Sequence, residues 1–324
     1  MDDRHPGWLS WLLGIAALVG VVFAVRHFSE AEAFVTQARE AKPLWLIAAL
    51  LLQAATYLAQ GEIWRAVGRR AGTRLSIPLM YKLALAKLFL DQALPSAGLS
   101  GTVVLTHALE KQGGLPRPAV LAGAVVNTTS FFFAYAVALS TTITILSFLG
   151  HATFVLVFPS VLFISLAAAV VAGILVFSGR DVLRKYPRWL IRYRLIQEGL
   201  NFIKDADRRL VHNFHLQLIA SCLQLATFLL DAMTLWVLIR SLGATARPSL
   251  VFASFMVANL VRTVGFIPGG LGAFEAVAVL MLKADGVPVA VGLSTSLLFR
   301  GLTFFLPMAP GLWFSRRLNK PVIP

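Results

Sequence analysis

Four ionisable residues stand inside stretches apolar enough to be buried in lipid: Arg262, Arg300, Glu275 and Asp231. Charges at membrane depth are costly and mark pathways or binding sites. A guanidinium in an apolar bundle grips a phosphate through charge-assisted, two-pronged hydrogen bonds. Lipid head groups supply such a phosphate. The plainer reading is internal pairing, in which Glu275 and Asp231 neutralise the arginines. The two are compatible, because a carboxylate that holds a guanidinium in the empty site is displaced by an anionic ligand.

Arg262 to Glu275 reads R-T-V-G-F-I-P-G-G-L-G-A-F-E. Pro268 removes a backbone donor, and Gly265, Gly269, Gly270 and Gly272 free the dihedrals, so a helix here must break. Broken backbone at membrane depth is tolerated where protein covers it or a watery cavity solvates it. The amides of Gly269-Gly-Leu-Gly272 lead into an apolar helix carrying Glu275, where free N–H groups and the helix dipole favour an anion. Glycines for close helix packing are the alternative. No strand precedes the motif, which excludes a dinucleotide fold.

A quieter interruption lies at Leu94-Pro-Ser-Ala-Gly-Leu-Ser-Gly101. Pro95 and Gly98 break it, and Asp91-Gln92 are candidates for the mouth of a cavity. The position matching Glu275 falls near Val103, with Thr102 adjacent, and the position matching Arg300 is Thr128. A site built this way is asymmetric, with the second half supplying most of the charge. Ordinary interfacial solvation accounts equally well for Lys87, Glu110 and Lys111.

Catalysis has little support. The histidines are scattered, and His212-x-x-His215 lacks a nearby carboxylate or cysteine to complete a zinc set. No G-x-S-x-G or Walker pattern occurs. The reading is therefore no catalytic residue, no metal, no cofactor and no enzyme. Transport is then passive, ion-coupled or driven by a partner.

These residues need a membrane scaffold, and composition provides one. The chain of 324 residues is 58% hydrophobic and 14% charged, against about 25% charged in soluble domains, with mean hydropathy +0.77. The net charge of +14 does not indicate nucleic acid, because the basic residues cluster between apolar spans as the positive-inside rule requires. Cys222 stands alone, so no internal disulfide forms.

Six spans are expected: Trp8–Val25, read as uncleaved, Leu44 to about Ile63, Ala119–Gly150, Ala152–Gly179, His215 to about Ile239, and Val287–Phe314. Met80 to about Gln112 and Pro248–Leu282 each consist of two short apolar pieces around a break, as expected of re-entrant hairpins. Basic residues in loop 65–74, in 180–209 and at the C-terminus place both termini in the cytoplasm. Arg240 and Arg247 would then lie outside, against the rule. In 180–212, Trp189, Leu190, Tyr193, Ile196, Leu200 and Ile203 recur at helical spacing, which reads as an amphipathic helix on the anionic inner leaflet.

A shift of 171 to 173 residues superposes the chain on itself. Gln53-Ala-Ala-Thr-Tyr-Leu58 meets Gln224-Leu-Ala-Thr-Phe-Leu229, Gly72 meets Gly243, Pro95 meets Pro268, Gly114-Leu-Pro116 meets Gly286-Val-Pro288, and Phe132-Phe133 meets Phe304-Phe305. Each half, 8–150 and 152–316, holds three spans and one broken hairpin. Three is odd, so the halves are inverted, the pattern of a transporter with its site between them.

Pro268-Gly-Gly-Leu-Gly-Ala-Phe-Glu275, Gly286-Val-Pro288, Leu298-Phe-Arg300, Phe304-Phe-Leu-Pro307 and Gly311 resemble the C-terminal signature of the lysylphosphatidylglycerol synthase transmembrane-region family of flippase-like membrane proteins. Leu94-Pro95…Gly98…Gly101 is similar to the family's first-half motif, and the resemblance covers about residues 10 to 316. Two-domain members link this region to moving aminoacylated phosphatidylglycerol to the outer leaflet, and a cytosolic domain performs the aminoacyl transfer. The sequence ends at Pro324, so the resemblance implies translocation without the synthase reaction. Stand-alone members are similar to proteins of hopanoid, glycolipid and other envelope-lipid pathways. Where the family often has an acidic residue and an acidic-basic pair, this chain has Thr102 and Asn127-Thr128.

The expectation is one all-α polytopic domain in a bacterial inner membrane, six transmembrane helices plus two broken hairpins in an inverted three-plus-three repeat. Its function would be translocation of a phospholipid or lipid-linked envelope intermediate, with a hopanoid or glycolipid as alternative cargo. The expected partner is a membrane lipid with an anionic head group or phosphate. A homo-oligomer or an envelope-biosynthesis partner is left open. A membrane-embedded enzyme and a non-transporting scaffold are the competing classes.

Overall fold

The computed structural model describes residues 41–93, 99–177, 204–264 and 272–318, with the isolated positions 39 and 202. In order these form α1 (Pro43–Arg70), α2 (Ile77–Ala93), α3 (Leu99–Lys111), α4 (Arg117–Phe148), α5 (Phe154–Phe177), α6 (Arg208–Val211), α7 (Phe214–Ser241), α8 (Pro248–Val264), α9 (Ala273–Ala284), α10 (Val289–Arg300), a π turn (Gly301–Phe305) and α11 (Leu306–Leu318). The described elements are all helical, as an all-α membrane chain requires: lipid offers no partner to a free N–H or C=O, and a helix satisfies these groups internally.

Among the described residues, five segments are long and apolar enough to cross a bilayer: 43–70, 117–148, 154–176, 214–241 and 289–314. They coincide with five of the six expected spans. The sixth, Trp8–Val25, lies outside the described residues. The basic stretch 65–74 is not a plain loop. Arg65, Arg69 and Arg70 sit on the last turns of α1, where Glu62 pairs with Arg65 and, at 2.6 Å, with Arg69. Cations favour a helix C-terminus, which extends α1 past the apolar run. Most of the expected interfacial helix 180–212 also lies outside the described residues. Its described end does not lie free on the surface: Leu210 and Val211 of α6 are buried among Val120, Leu216 and Ala220, and the Asp207 amide donates to Pro118 O at 2.9 Å.

Each short pair is a hairpin that returns to its own side. Arg247, before α8, donates through its backbone N–H (2.8 Å) and its Nε (2.7 Å) to Asp285, after α9. In the other pair, Leu75 before α2 is buried with Leu109 and Leu115 at the end of α3. α9 has 12 residues, about 18 Å of helix, too short for a hydrocarbon core of about 30 Å. The Asp285 contact also explains the misplaced cations, since Arg247 is charge-paired. Arg240 lies 5.9 Å from the ring centres of both Trp45 and Trp236, an aromatic setting suited to a membrane interface.

α1 and α7 pack along most of their length and run antiparallel. The Lys42 amide, before α1, donates to Ser241 O at the end of α7 (3.1 Å). At the other end Arg70 Nη1 donates to Asn213 Oδ1 before α7 (2.7 Å). Small residues permit the remaining close approaches. A Cβ on Gly123 of α4 would stand 2.5 Å from Trp64 Cζ3, and one on Gly311 of α11 would stand 2.6 Å from Leu85 O.

Candidate functional site

The α1–α7 contact is a polar seam inside apolar helices. Gln53 Nε2 donates to Asp231 Oδ1 and Thr234 Oγ1, both at 3.0 Å, and the Thr56 hydroxyl lies 3.3 Å from the same Asp231 oxygen. Seven residues on, Gln60 Nε2 donates to Gln224 Oε1 at 3.2 Å and Thr227 Oγ1 at 3.3 Å. A shift of 171 residues turns Gln53, Thr56 and Gln60 into Gln224, Thr227 and Asp231. It therefore exchanges the Gln53–Asp231 bond with the Gln60–Gln224 bond, and the Thr56–Asp231 contact with the Gln60–Thr227 bond. Two antiparallel helices whose contacts exchange in this way are related by a two-fold axis perpendicular to both. The seam extends to α4, where Gln224 Nε2 donates to Asn127 Oδ1 (3.0 Å) and Thr129 Oγ1 to Gln217 Oε1 (2.9 Å).

The charged residues gather on one side of this seam. Arg300 Nε donates to Glu275 Oε1, and both side chains are buried. Glu275 Oε2 is buried without a hydrogen-bond partner. Glu275 occupies the first turn of α9 behind Gly272, whose φ of 79° is in the left-handed region that glycine enters at no steric cost. The Arg300 guanidinium also lies 5.7 Å from the Phe304 ring centre. Beneath the pair, Phe274 and Phe299 stack at 5.6 Å, and Phe255 meets both edge-on. These rings hold α8, α9 and α10 in register, so the ion pair sits on a rigid floor.

Arg262, on the last turn of α8, is accessible. Its Nη2 donates to Asn259 Oδ1 at 2.7 Å, and Asn259 Nδ2 donates to Tyr135 Oη on α4 at 3.1 Å. Arg262 lies within electrostatic reach of Arg300, Asp231 and Glu275. At 1.5 Å per residue, the four charges stand about 14 to 21 Å along their helices from the end marked by Ser241, Arg247 and Asp285. In a core of about 30 Å that is one level near the middle.

The π turn follows Arg300 directly. Pro307 and Pro310 lack the N–H groups that would bond Thr303 O and Leu306 O. Their 172-shifted counterparts are Tyr135 and Ala138, and α4 accordingly runs unbroken over 32 residues. π turns recur at functional positions inside helices.

Thus the structure brings Arg262, Arg300, Glu275 and Asp231 to one place, with Gly272 as the N-cap. Pro268, Gly269 and Gly270, like Pro95 and Gly98, lie outside the described residues. Asp91 and Gln92 fall on the last turn of α2. A hollow of about 280 Å³ among the described residues lies between α1 and α2, lined by Tyr57, Glu62, Arg65, Met80 and Tyr81 but not by Arg300. Sequence reasoning missed Gln53, Thr56, Gln60, Gln224, Thr227, Asn259 and Tyr135. The signal for the seam was present, since Gln53, Thr56 and Gln60 recur on one helical face of an apolar span.

Comparison with known proteins agrees with this architecture. Residues 11–311 match the family described as the lysylphosphatidylglycerol synthase TM region. A "UPF0104 membrane protein" of Methanothermobacter thermautotrophicus is 19% identical over 330 residues, covering 95% of this chain and 94% of that one. A "UPF0104 membrane protein" of Methanocaldococcus jannaschii is 22% identical over 290 residues, covering 83% of each. A "Phosphatidylglycerol lysyltransferase" of Staphylococcus haemolyticus is 43% identical over 65 residues, which cover 20% of this chain and 8% of that one. With five long apolar spans among its described residues, this chain is a multi-pass membrane protein that belongs to the lysylphosphatidylglycerol synthase transmembrane-region family.

Proposed function

We propose that the chain binds a membrane lipid by its anionic head group at Arg262 and Arg300 and carries it between leaflets. The observation that supports this most is the cluster around Arg262, a charged residue near mid-membrane depth that lies within electrostatic reach of a second guanidinium held by a carboxylate. A permanently charged side chain there needs water or an anion around it. A phosphate arriving at Arg262 competes with Glu275 for Arg300, and it replaces one buried anion by another. Two inverted halves, related through the α1–α7 axis, would alternate the opening of this place to either leaflet.

The same reading places the end bearing Arg69, Arg70, Arg208 and Arg209 at the anionic cytoplasmic leaflet of a plasma membrane, with both termini on that side. It leaves room for a second copy or an envelope-lipid enzyme as partner. The "Phosphatidylglycerol lysyltransferase" likeness favours phosphatidylglycerol or a derivative as the lipid to try first.

The test is transfer of head-group-labelled phosphatidylglycerol across liposomes holding the purified protein. Wild type should move the lipid, and R262A and R300A should each lower the rate at least about tenfold, the loss of roughly 1.4 kcal/mol of binding. Rates unchanged in both variants would end the site assignment. Chemical conversion of the lipid would replace transport by an enzymatic reading.

A further inference from the structure

Asp231 differs from the other three charges in what surrounds it. Its hydrogen-bond partners are neutral, the Gln53 amide and the Thr56 hydroxyl, and both meet Oδ1. That leaves Oδ2 to carry a proton. The pseudo-symmetric position on α1 is Gln60, a neutral side chain that meets the mirrored partners in the opposite direction, donating to Gln224 and Thr227 where Asp231 accepts from Gln53 and Thr56. Protonation at Oδ2 leaves Oδ1 to accept both bonds, so the seam holds the uncharged acid without losing a contact. An ionised carboxylate inside a bilayer is costly unless a cation offsets it.

The elements packed against α7 each carry a titratable or charged group. From α1 comes Tyr57, whose buried Oη has no hydrogen-bond partner. α8 brings Arg262, within electrostatic reach. On α4 stands Tyr135, bonded to Asn259. α10 brings Arg300, bonded to Glu275. Arg262 is thus the cation whose charge acts on Asp231.

We infer that Asp231 is a proton-binding site coupled to the lipid site through the charge of Arg262. With Arg262 free, its field favours the carboxylate. When an anionic head group occupies Arg262, that field is cancelled and a proton joins Asp231 Oδ2. The step is a plain protonation, with the proton taken from water. Linkage makes the effect reciprocal, so acidification tightens anion binding, and binding takes up a proton. This rests on the head-group reading above and adds to it a means of coupling transport to a proton gradient.

Two measurements on the full-length chain in detergent test it separately. The first is infrared spectroscopy of the lipid-free protein between about pH 8 and about pH 5, the range over which displaced carboxylates titrate. A protonated-carboxyl C=O band should grow as pH falls and be absent from D231N. Q60E should add a second such band, because it places a carboxyl at the mirrored position. The second titrates short-chain phosphatidylglycerol in weakly buffered solution with a pH dye. Wild type should take up part of one proton per lipid bound, and its affinity should rise by up to about tenfold per pH unit of acidification. D231N should bind with the affinity wild type shows at low pH, with no uptake and no pH dependence. The inference is overturned if no band is lost in D231N, or if wild type binds without proton exchange. If phosphatidylglycerol fails to bind, the head-group reading falls, and the infrared result still decides whether Asp231 holds a proton.

Discussion

α1 to α4 and α7 to α11 are two copies of one frame with different chemistry. α1 and α7 each have 28 residues, and α2 and α8 each have 17, at a constant offset of 171. α3 and α9 have 13 and 12 residues. Positive-φ glycines recur at Gly72 and Gly243, and at Gly114 and Gly286. Against that identity of frame, Gln60 faces Asp231, Thr128 stands where Arg300 stands, and an unbroken α4 matches a helix interrupted by a π turn. The fifteenth residue of α2 is Asp91, and that of α8 is Arg262. Tyr57 and Met80, which line the hollow, correspond to Phe228 and Val251 in the second half. The symmetric contacts are those between frame elements, and the asymmetric residues are the charged ones. A repeated scaffold has kept its helix lengths in both halves and concentrated its cluster of arginines and carboxylates in one.

The comparison is broken most directly at the ion pair. Removing one member of a buried pair leaves the other uncompensated, at a cost of about 3 to 5 kcal/mol. E275A and R300A should therefore lower the unfolding temperature in detergent markedly, and the double variant E275A/R300M should recover part of the loss. T128A, at the first-half counterpart, should change stability by less than about 0.5 kcal/mol. Equal losses at Thr128 and Arg300 would mean that the second half is not special.

How far this was legible in the sequence depends on the interaction concerned. The spans announced themselves through apolar runs, because hydropathy acts locally; Pro95 and Pro268, which mark the expected breaks, lie outside the described residues. The repeat was visible in Gln53-Ala-Ala-Thr and Gln224-Leu-Ala-Thr. What those glutamines do was not, because bonds between residues 53 and 231 depend on a long-range crossing of helices. The pairing of Arg300 with Glu275 was one of two readings, since a guanidinium suits a carboxylate and a phosphate alike. Arg247 looked misplaced until Asp285, 38 positions away, was seen to accept from it. The segment 180–212 reads as lying on the membrane, yet its described end is packed through Leu210 and Val211, because sequence periodicity reveals an apolar stripe without revealing what covers it.

Smaller effects sharpen the same contrast. Gly311→Ala drives a methyl against the Leu85 carbonyl, part of the α2 backbone, and should cost about 1 to 3 kcal/mol by overpacking. Gly123→Ala meets the Trp64 ring, a side chain able to turn, and should cost less; thermal unfolding of the two variants checks the order. Gln53→Ala and Gln224→Ala should lose similar amounts, about 0.5 to 2 kcal/mol each, if the seam is as symmetric as its bonds. Tyr57→Phe is the mildest. It removes a buried hydroxyl without a partner and should be neutral or slightly stabilising.

The central claim is that an anionic head group sits against the second half and not against its first-half counterpart. Native mass spectrometry of the detergent-solubilised protein, titrated with phosphatidylglycerol, tests this in R262A and D91A beside wild type. The account predicts that R262A loses the bound lipid at least about tenfold in affinity while D91A keeps it. Retention by R262A together with loss by D91A would contradict it.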